Sequence, residues 1–339
     1  KDDTGNIIFT VPATPGYENR KGVIMQAHMD MVPQKTADTK HDFLTDPIET
    51  EIDGEWVTAK GTTLGADNGI GVALALSVLQ DKTLKHGPLE ALITYDEETG
   101  MTGANSLKAG ILKGDILLNL DSEEEGELCT GCAGGVDGAA DFAYRTYKTP
   151  EGFVGYKITV KGLKGGHSGM DISLFRGNAN KIICRLLEAV ISEYDVKVAS
   201  ITGGSLRNAI PFEAEAEILV PSADSRKVKA LVEKKFEESK FEYQYSDPDM
   251  ILIYEKQSAP AARYISPKVI GKAVKAILAC PHGVQRMSDT LPGLTETSTN
   301  MAIVRTQKGH LTVHSLTRSS IDAAKMYLAD SIRYVFELA

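Results

Sequence analysis

The stretch VIMQAHMD, residues 23–30, decides the fold class of the first part of the chain. Its first five residues form an apolar run that is typical of a buried strand, and His28 and Asp30 follow directly after that run. The runs LEALITY (89–95) and ILLNL (116–120) have the same character, and residues 68–79, after a glycine-rich loop, are typical of a helix. Strands that alternate with helices predict an α/β domain with a mostly parallel sheet and flanking helices.

Acidic residues follow the other two strands of this region as well. Glu97 and Glu98 come after residues 89–95, and Asp121 ends the run at 116–120. Ligands of an open α/β sheet bind beyond the carboxyl ends of its strands. Adjacent acids repel each other unless a cation or a shared proton compensates. Taken singly, each feature has an ordinary alternative: a capping aspartate beside a histidine, a solvated acidic turn, or a solvated run at 123–125.

A further carboxylate, Asp67, lies in the glycine-rich loop at 65–69, just before the predicted helix. It could cap that helix, or it could bridge two cations about 3.5–4 Å apart. Three strand ends and this loop would bring one histidine and several carboxylates to the same edge of the sheet. Such ligands suit zinc, and also manganese or cobalt. The residues therefore predict a two-metal hydrolase site in which one acid binds metal and a neighbour acts as general base on water.

Composition excludes some classes of partner and favours a reducing compartment. The formal net charge of −9 argues against a nucleic-acid partner, and no apolar run approaches the roughly 18 residues of a membrane span. Four cysteines are too few for a disulfide scaffold, which favours a cytoplasmic location. For the CxxC pair Cys129 and Cys132 we favour two small buried thiols in a glycine-rich turn over a redox pair or half a zinc site.

The character of the sequence changes at residues 133–155, where AGGVDG and KTPEGFVG are both loop-like. We therefore predict a first domain over residues 1–134 and a second over 135–339, the second with an α+β pattern of half-exposed strands and amphipathic helices. Its predicted helices are 178–194, 224–238, 267–278 and 320–338; its predicted strands are 156–160, 212–220 and 250–254; residues 302–306 and 311–316 are expected to form a hairpin.

Longer stretches spread over nearly the whole chain resemble a known enzyme family. They are QAHMDMVPQK (26–35), KGTTLGADNGIG (60–71), DEETGMTGA (96–104), NLDSEEEGE (119–127), GCAGG (131–135), KGLKGGHSG (161–169), GNANK (177–181) and SLRNAIP (205–211). These stretches look like the Xaa-His dipeptidases, also called aminoacyl-histidine or cytosol non-specific dipeptidases. That group is part of the aminoacylase and carboxypeptidase-type zinc exopeptidases. The resemblance implies an α/β catalytic domain with an inserted α+β lid that also mediates dimerisation.

The resemblance implies a role for each residue of the predicted metal site. His28 and Asp121 resemble the ligands of one metal, and Asp67 resembles the carboxylate that bridges both metals. Glu98 resembles a ligand of the second metal, and Glu97 resembles the general base. The implied cofactors are two divalent ions, zinc in the first place.

Further roles are implied for residues near the metals and in the lid. Asp30 resembles the acid that orients the metal-binding histidine. In the lid, His167 resembles a residue that binds the substrate or polarises its carbonyl, in its own or a partner subunit's site. Arg207, Asn208 and Arg318 resemble lid residues near the substrate, whose terminal carboxylate a guanidinium would suit.

One family feature has no counterpart in this sequence. The family pattern includes another metal-binding histidine in the catalytic domain beyond the lid, whereas His310 and His314 fall in the predicted lid hairpin and the chain stops at Ala339. Either the protein lost its second metal site or the chain is a fragment. We expect a fragment, with an incomplete catalytic domain whose remainder follows residue 339, and weak or no activity for this polypeptide alone.

The activity implied is hydrolysis of dipeptides, Xaa-His dipeptides among them, by a homodimer in the cytoplasm. Two alternatives stay open. One is another amide hydrolase of the same family, such as a tripeptidase or an N-acyl-amino-acid deacylase, because all of these share the metal-binding residues. The other is a non-catalytic relative that binds metal or dimerises without turnover.

Overall fold

The computed structural model describes residues 1–36, 38–122 and 126–339, so the acidic run at 123–125, for which a solvated run was one alternative, lies outside the described residues. The chain divides into two units, Lys1–Thr130 and Gly131–Ala339. None of the described helices is both long and apolar enough to cross a membrane.

The first unit alternates strands and helices, as its sequence predicts. Its strands are β1 (Ile7–Val11), β2 (Val23–His28), β3 (Thr50–Asp53), β4 (Trp56–Ala59), β5 (Leu89–Thr94) and β6 (Ile116–Asn119). Its helices are α1 (Ala66–Gln80), α2 (Glu97–Gly100) and α3 (Thr102–Asn105). The predicted strands at 23–27, 89–95 and 116–120 and the predicted helix at 68–79 are confirmed, whereas the hairpin of β3 and β4 was not predicted.

The sheet of the first unit has the strand order β1-β5-β2-β6. Strand β2 runs parallel to both β5 and β6, and β1 adds an antiparallel edge, which confirms the mostly parallel α/β sheet. Helix α1 packs on β2 and β5. The small core between them consists of Met25, Ala27, Ala75, Ala91 and Ile93.

The second unit is an α+β structure, again as predicted. Its strands are β7 (Gly134–Ala143), β8 (Thr146–Lys148), β9 (Phe153–Lys161), β10 (Gly166–His167), β11 (Lys197–Gly203), β12 (Ala209–Ile210), β13 (Ala214–Pro221), β14 (Ile251–Lys256), β15 (Arg263–Ile265), β16 (Gly283–Met287), β17 (Thr295–Gln307) and β18 (His310–Ser319). Its helices are α4 (Ala179–Glu193), α5 (Ser225–Glu242), α6 (Pro267–Ala279) and α7 (Asp322–Leu338), with short 3-10 helices at Ile172–Leu174 and Ser222–Asp224.

A large antiparallel sheet with the order β14-β9-β13-β11-β17-β18-β7 organises this unit, and β16 pairs with β17 beside it. Helix α4 packs against α5, α6 and the sheet. It can do so because Ile183, Leu186, Leu187 and Val190 recur at helical spacing and are fully buried. Asn178 begins this helix, and its side-chain oxygen accepts hydrogen bonds from the backbone N–H groups of Asn180 and Lys181.

The segment AGGVDG at 133–138 is not the loop predicted from its sequence. From Gly134 onward it belongs to β7, which pairs with β18 without interruption from Gly134 opposite Ser319 to Ala143 opposite His310. Glycine disfavours strands in isolation, but the pairing partner overrides that preference. A Cβ at Gly138 would lie 2.7 Å from the Ser315 hydroxyl oxygen, so a glycine permits the close approach that this pairing needs.

Two other predictions have different outcomes. The hairpin expected near 302–316 is confirmed as β17 and β18, with Lys308 and Gly309 in the left-handed conformation at its turn. The expectation of buried thiols at Cys129 and Cys132 is wrong, because both are exposed in a segment without regular structure. The buried thiols are those of Cys184 and Cys280 in the core of the second unit.

Candidate metal centre and substrate contacts

The strand order of the first sheet brings the predicted metal ligands together. Strand β2 lies between β5 and β6 and ends at His28, whose side chain is 1% exposed. Glu97 follows the end of β5, and Asp121 follows the end of β6. Because parallel strands place their carboxyl ends at one edge of the sheet, three strands separated in sequence deliver polar side chains to one place.

His28, Asp67 and Asp121 form a tight cluster in which one ligand atom from each residue lies within 4.8 Å of the others. His28 Nε2 lies 3.0 Å from Asp67 Oδ1 and 3.5 Å from Asp121 Oδ1. On the other side of the ring, His28 Nδ1 lies 2.9 Å from the carbonyl oxygen of Asp30. A carbonyl oxygen only accepts, so Nδ1 carries a proton there and the lone pair of neutral Nε2 points at two carboxylates.

The electrostatics of the cluster fit a cation at its centre. Burial raises the pKa of Asp121 to about 6, a shift that the charge of His28 opposes and that of Asp67 increases. Burial alone would lower the pKa of His28, but the charge of Asp121 and the hydrogen bond with Asp67 raise it overall. A nitrogen lone pair that faces two carboxylates is unfavourable unless a proton or a metal ion lies between them. One imidazole and two carboxylates are a ligand set that zinc accepts.

The start of α1 directs Asp67 toward His28. Gly65 is the N-cap, with a left-handed φ of 77°, and Asp67 and Asn68 have non-helical backbone angles with a cis peptide bond between them. The helix could have been capped by Asp67, but its N-cap is Gly65, and no side chain caps it. The buried side chain of Asn68 instead accepts a hydrogen bond from the N–H of Gly71 at 3.1 Å. A Cβ at Gly71 would lie 2.1 Å from that amide oxygen, so the turn requires glycine.

Asp30 fixes the two glutamates that follow β5. One of its carboxylate oxygens accepts the backbone N–H of Glu97 and the other accepts that of Glu98, each at 3.0 Å. The nearest Asp30 carboxylate oxygen is 3.5 Å from His28 Nδ1, farther than the Asp30 carbonyl oxygen. The structure therefore connects the Asp30 carboxylate more closely to Glu97 and Glu98 than to the histidine that the resemblance assigns to it.

Glu98 lies near the cluster but is not part of it. Burial, and then the negative charge of Asp67, raises the pKa of Glu98. Over the residues that the structure describes, the tight cluster comprises only His28, Asp67 and Asp121. Asp96, the first acid of the run, holds the turn, because its carboxylate accepts hydrogen bonds from the hydroxyls of Thr99 and Thr102.

A row of side-chain amides beneath the cluster was not predicted from the sequence. The N–H of Asp121 donates to Asn119 Oδ1 at 2.9 Å, and Asn119 Nδ2 donates to Gln26 Oε1 at 2.5 Å. Gln26 Nε2 donates in turn to the Thr94 hydroxyl at 3.1 Å. The row connects β6, β2 and β5 at their carboxyl ends. The polar residues Gln26, Thr94 and Asn119 within largely apolar strands were the signal in the sequence.

In the second unit, His167 lies in β10, which pairs with β12. Asp171 Oδ2 accepts the backbone N–H of His167 at 2.8 Å, and the N–H of Met170 donates to His167 Nδ1 at 3.2 Å. Arg318 Nη2 lies 3.5 Å from His167 Nε2. A guanidinium only donates, so this contact and the one from Met170 compete for the single lone pair of a neutral imidazole.

Arg318, one of the two lid arginines that the resemblance implies, is half-buried on β18, and its Nε is buried without a hydrogen-bond partner in the described structure. Burial, and then the charge of Arg207, lowers the pKa of Arg318, and Asp137 offsets part of this effect. Arg207 is exposed and pairs with Asp137 at 3.1 Å. Asn208 is also exposed, and its carbonyl oxygen accepts the N–H of Ser168 at 2.7 Å.

The structure brings His167 and Arg318 to one cavity of about 380 Å³. Arg207 and Asn208 do not line this cavity. Its walls also include Glu296, Ser298, Met170 and Leu294. Glu296 could not be identified from the sequence, because a single acid in the alternating segment TETST (295–299) resembles a residue on a solvated strand face.

Comparison with known proteins places the chain among peptidases. Residues 24–308 match Peptidase family M20/M25/M40. The chain is 46% identical over 339 residues to the cytosol non-specific dipeptidase of Escherichia coli (strain K12), covering 100% of this chain and 70% of that protein. It is 25% identical over 308 residues to the uncharacterized protein YqjE of Bacillus subtilis (strain 168), covering 83% of this chain and 74% of that one.

A solved structure agrees with these sequence matches. The aminoacylhistidine dipeptidase of Vibrio alginolyticus is similar to this chain with a TM-score of 0.79 and 50% sequence identity. The similarity covers 100% of this chain and 69% of that chain.

Proposed function

Because the chain belongs to Peptidase family M20/M25/M40, a family of metal-dependent peptidases, we propose that it hydrolyses dipeptides, Xaa-His dipeptides among them. The observation that carries this proposal is the cluster of His28, Asp67 and Asp121 at the carboxyl edge of the first sheet. The names of two relatives, a cytosol non-specific dipeptidase and an aminoacylhistidine dipeptidase, support the substrate class. We also propose a cytosolic location, and a homodimer formed through residues 135–339.

Two divalent metal ions, zinc in the first place, are the proposed cofactors. His28 and Asp121 would hold one ion, Asp67 would bridge, and Glu98 would bind the second. Asp67 and Glu98 alone fall short of the three protein ligands that a catalytic zinc ion usually has. When bound, the metals supply Lewis-acid activation of the scissile carbonyl and of water.

Glu97 is the proposed general base. It would take a proton from the attacking water and later transfer it to the leaving amine. The support is positional, because the Asp30 carboxylate fixes the backbone N–H groups of both Glu97 and Glu98. Such anchoring at the start of α2 would keep the base in register with the neighbouring proposed metal ligand.

His167, Arg207, Asn208 and Arg318 are the proposed substrate contacts. His167 would contact the substrate carbonyl, and it could donate from Nε2 when Nδ1 accepts the N–H of Met170. A half-buried guanidinium beside a second arginine is best satisfied by an anion, so Arg318 would bind the terminal carboxylate of the peptide. Arg207 and Asn208 would add contacts at the exposed rim.

The proposed function is tested by replacing Glu97 with Gln. We expect Glu97→Gln to lower the turnover of Ala-His by about 10²–10⁴-fold. The assay uses the zinc-loaded protein in the form that the cell produces. Metal content measured by elemental analysis should stay unchanged. Glu51→Gln, an exposed acid on β3, is the matched control and should keep full activity. Near-normal turnover by Glu97→Gln would contradict the assignment.

A further inference from the structure

The cavity beside His167 and Arg318 contains an acid that the proposed mechanism does not use. Glu296, on β17, is 5% exposed and lines the cavity of about 380 Å³ together with Arg318 and Ser298. A carboxylate is seldom this buried without a charged or hydrogen-bonding partner. The partners of Glu296 therefore decide whether it only supports the fold.

The contacts of Glu296 leave one of its oxygens available. Oε1 lies 3.5 Å from Arg286 Nε and 3.3 Å from the Thr297 hydroxyl oxygen. Arg286 is shared, because its guanidinium also contacts Asp289. Oε2 accepts no hydrogen bond from any residue that the structure describes. A carboxylate has about four acceptor positions, so Glu296 keeps the capacity to accept a donor from a ligand in the cavity.

Strand register places Glu296 and Arg318 on the same side of the sheet. Ser298 of β17 pairs with Arg318 of β18, and Glu296 precedes Ser298 by two residues. Side chains two apart on a strand point to the same face, and diagonal neighbours across an antiparallel pair are about 7–8 Å apart. Glu296 and Arg318 are thus diagonal neighbours on one face of the sheet, and both line the same cavity.

We propose that this cavity binds the C-terminal residue of the dipeptide, with Arg318 holding its α-carboxylate and Glu296 accepting a hydrogen bond from its side chain. Such a site selects side chains that carry an N–H donor, such as imidazole, over aliphatic ones. Met170 and Leu294 supply the apolar walls that a planar ring would contact. This assignment rests on the proposed dipeptidase function and adds the residue that determines its preference.

The test compares two peptides that differ only in the second residue, Ala-His and Ala-Leu. Glu296→Ala removes the acceptor, and Glu296→Gln removes its charge while keeping its shape. We expect Glu296→Ala to raise KM for Ala-His by about 10–100-fold, the range for a hydrogen bond to a charged group. We expect kcat for Ala-His, and both constants for Ala-Leu, to change by less than threefold. The KM of Glu296→Gln for Ala-His should lie between the values for Glu296→Ala and the parent protein.

Two controls separate selection from a structural role. Arg286→Gln removes the ion-pair partner of Glu296 but leaves its carboxylate, so it should preserve the preference for Ala-His. Glu237→Gln removes an exposed acid on α5 and should change nothing. If Arg286→Gln and Glu296→Gln lower kcat/KM for the two peptides by the same factor, Glu296 only stabilises the fold and the proposal is overturned. The proposal is supported if the preference for Ala-His is lost in the Glu296 variants and kept in Arg286→Gln.

Calorimetric binding of free L-histidine and L-leucine makes the result independent of turnover. We expect the parent protein to bind L-histidine more tightly than L-leucine, and Glu296→Ala to bind both equally weakly. If neither peptide is hydrolysed, the dipeptidase function fails, yet a histidine preference that disappears in Glu296→Ala still supports the site. Equal binding of the two amino acids by the parent protein overturns the assignment of Glu296.

Discussion

The two units differ in how much apolar surface each buries within itself. In the first unit, the side chains of β6 are exposed, Leu117 at 52%, and Leu74 of α1 is 53% exposed. In the second, α4 alone buries Ile183, Leu186 and Leu187 completely. The proposed metal ligands all belong to the first unit. The proposed metal chemistry therefore belongs to the unit with the smaller core, and we expect the second unit to be stable without the metal site.

Removal of the proposed bridging carboxylate should give the largest difference between the two units in their response to one substitution. We expect Asp67→Ala to abolish metal binding and turnover, because Asp67 is the ligand proposed for both ions. Thermal unfolding of the second unit, followed by circular dichroism, should stay unchanged. Elemental analysis and Ala-His hydrolysis measure the loss, and Asp53→Ala, an exposed acid on β3, is the control. Full metal content in Asp67→Ala would refute the bridging role.

A matched pair of leucines tests the difference in packing. Leu187→Ala, in the buried face of α4, should lower the free energy of unfolding by about 2–5 kcal/mol because it leaves a cavity. Leu117→Ala, on the exposed β6, should change it by about 0.5 kcal/mol or less. Urea unfolding of both variants measures the difference. Equal losses would show that β6 is covered in solution.

The amide row beneath the cluster should affect metal affinity without holding the metal. We expect Asn119→Ala to weaken zinc binding by about 10–100-fold, since it removes the hydrogen bond that orients Asp121. Competition with a zinc chelator measures the affinity. Gln80→Ala, an exposed amide at the end of α1, is the control. Unchanged affinity in Asn119→Ala would mean that the hydrogen bond from the backbone N–H of Asp121 does not position this ligand.

The smallest expected effect is on the cap of α4. Loss of the cap in Asn178→Ala should lower the stability of the second unit by about 0.5–2 kcal/mol, and Asn178→Ser, which keeps a side-chain oxygen, should restore that part. Neither variant keeps the hydrogen bond from Asn178 Nδ2 to the Met301 carbonyl oxygen at 2.9 Å, so Asn178→Ser should stay less stable than the parent protein. Hydrolysis of Ala-His at a temperature below unfolding should be unaffected. A large loss of activity in Asn178→Ala would show that the second unit's stability and the metal chemistry are not separable.

The parts of the fold that the sequence predicted correctly depend on local patterns. The strand before His28, the helix after Asp67 and the hairpin of β17 and β18 all follow from apolar periodicity and turn residues. The rule that ligands gather at the carboxyl ends of parallel strands then predicted the cluster of His28, Asp67 and Asp121. The strands, the helix and the hairpin needed only residues close together in the chain, whereas the cluster also needed the general rule about parallel strands.

The parts that were missed depend on partners distant in sequence. Strand β7 was taken for a loop because its glycines indicate a turn until β18 is placed beside it. The hydrogen bond of Asn119 to Gln26 joins residues that only the strand order makes neighbours. Glu296 became a candidate only when the register of β17 and β18 showed which face it shares with Arg318.

Asp30 contributes two different groups to the candidate site. Its carbonyl oxygen fixes the tautomer of His28, and its carboxylate fixes the start of α2, where Glu97 and Glu98 lie. A substitution at position 30 removes the carboxylate but keeps the backbone carbonyl oxygen. It would therefore release the start of α2, with the proposed base Glu97 and the proposed ligand Glu98, while His28 kept its contact with the main chain.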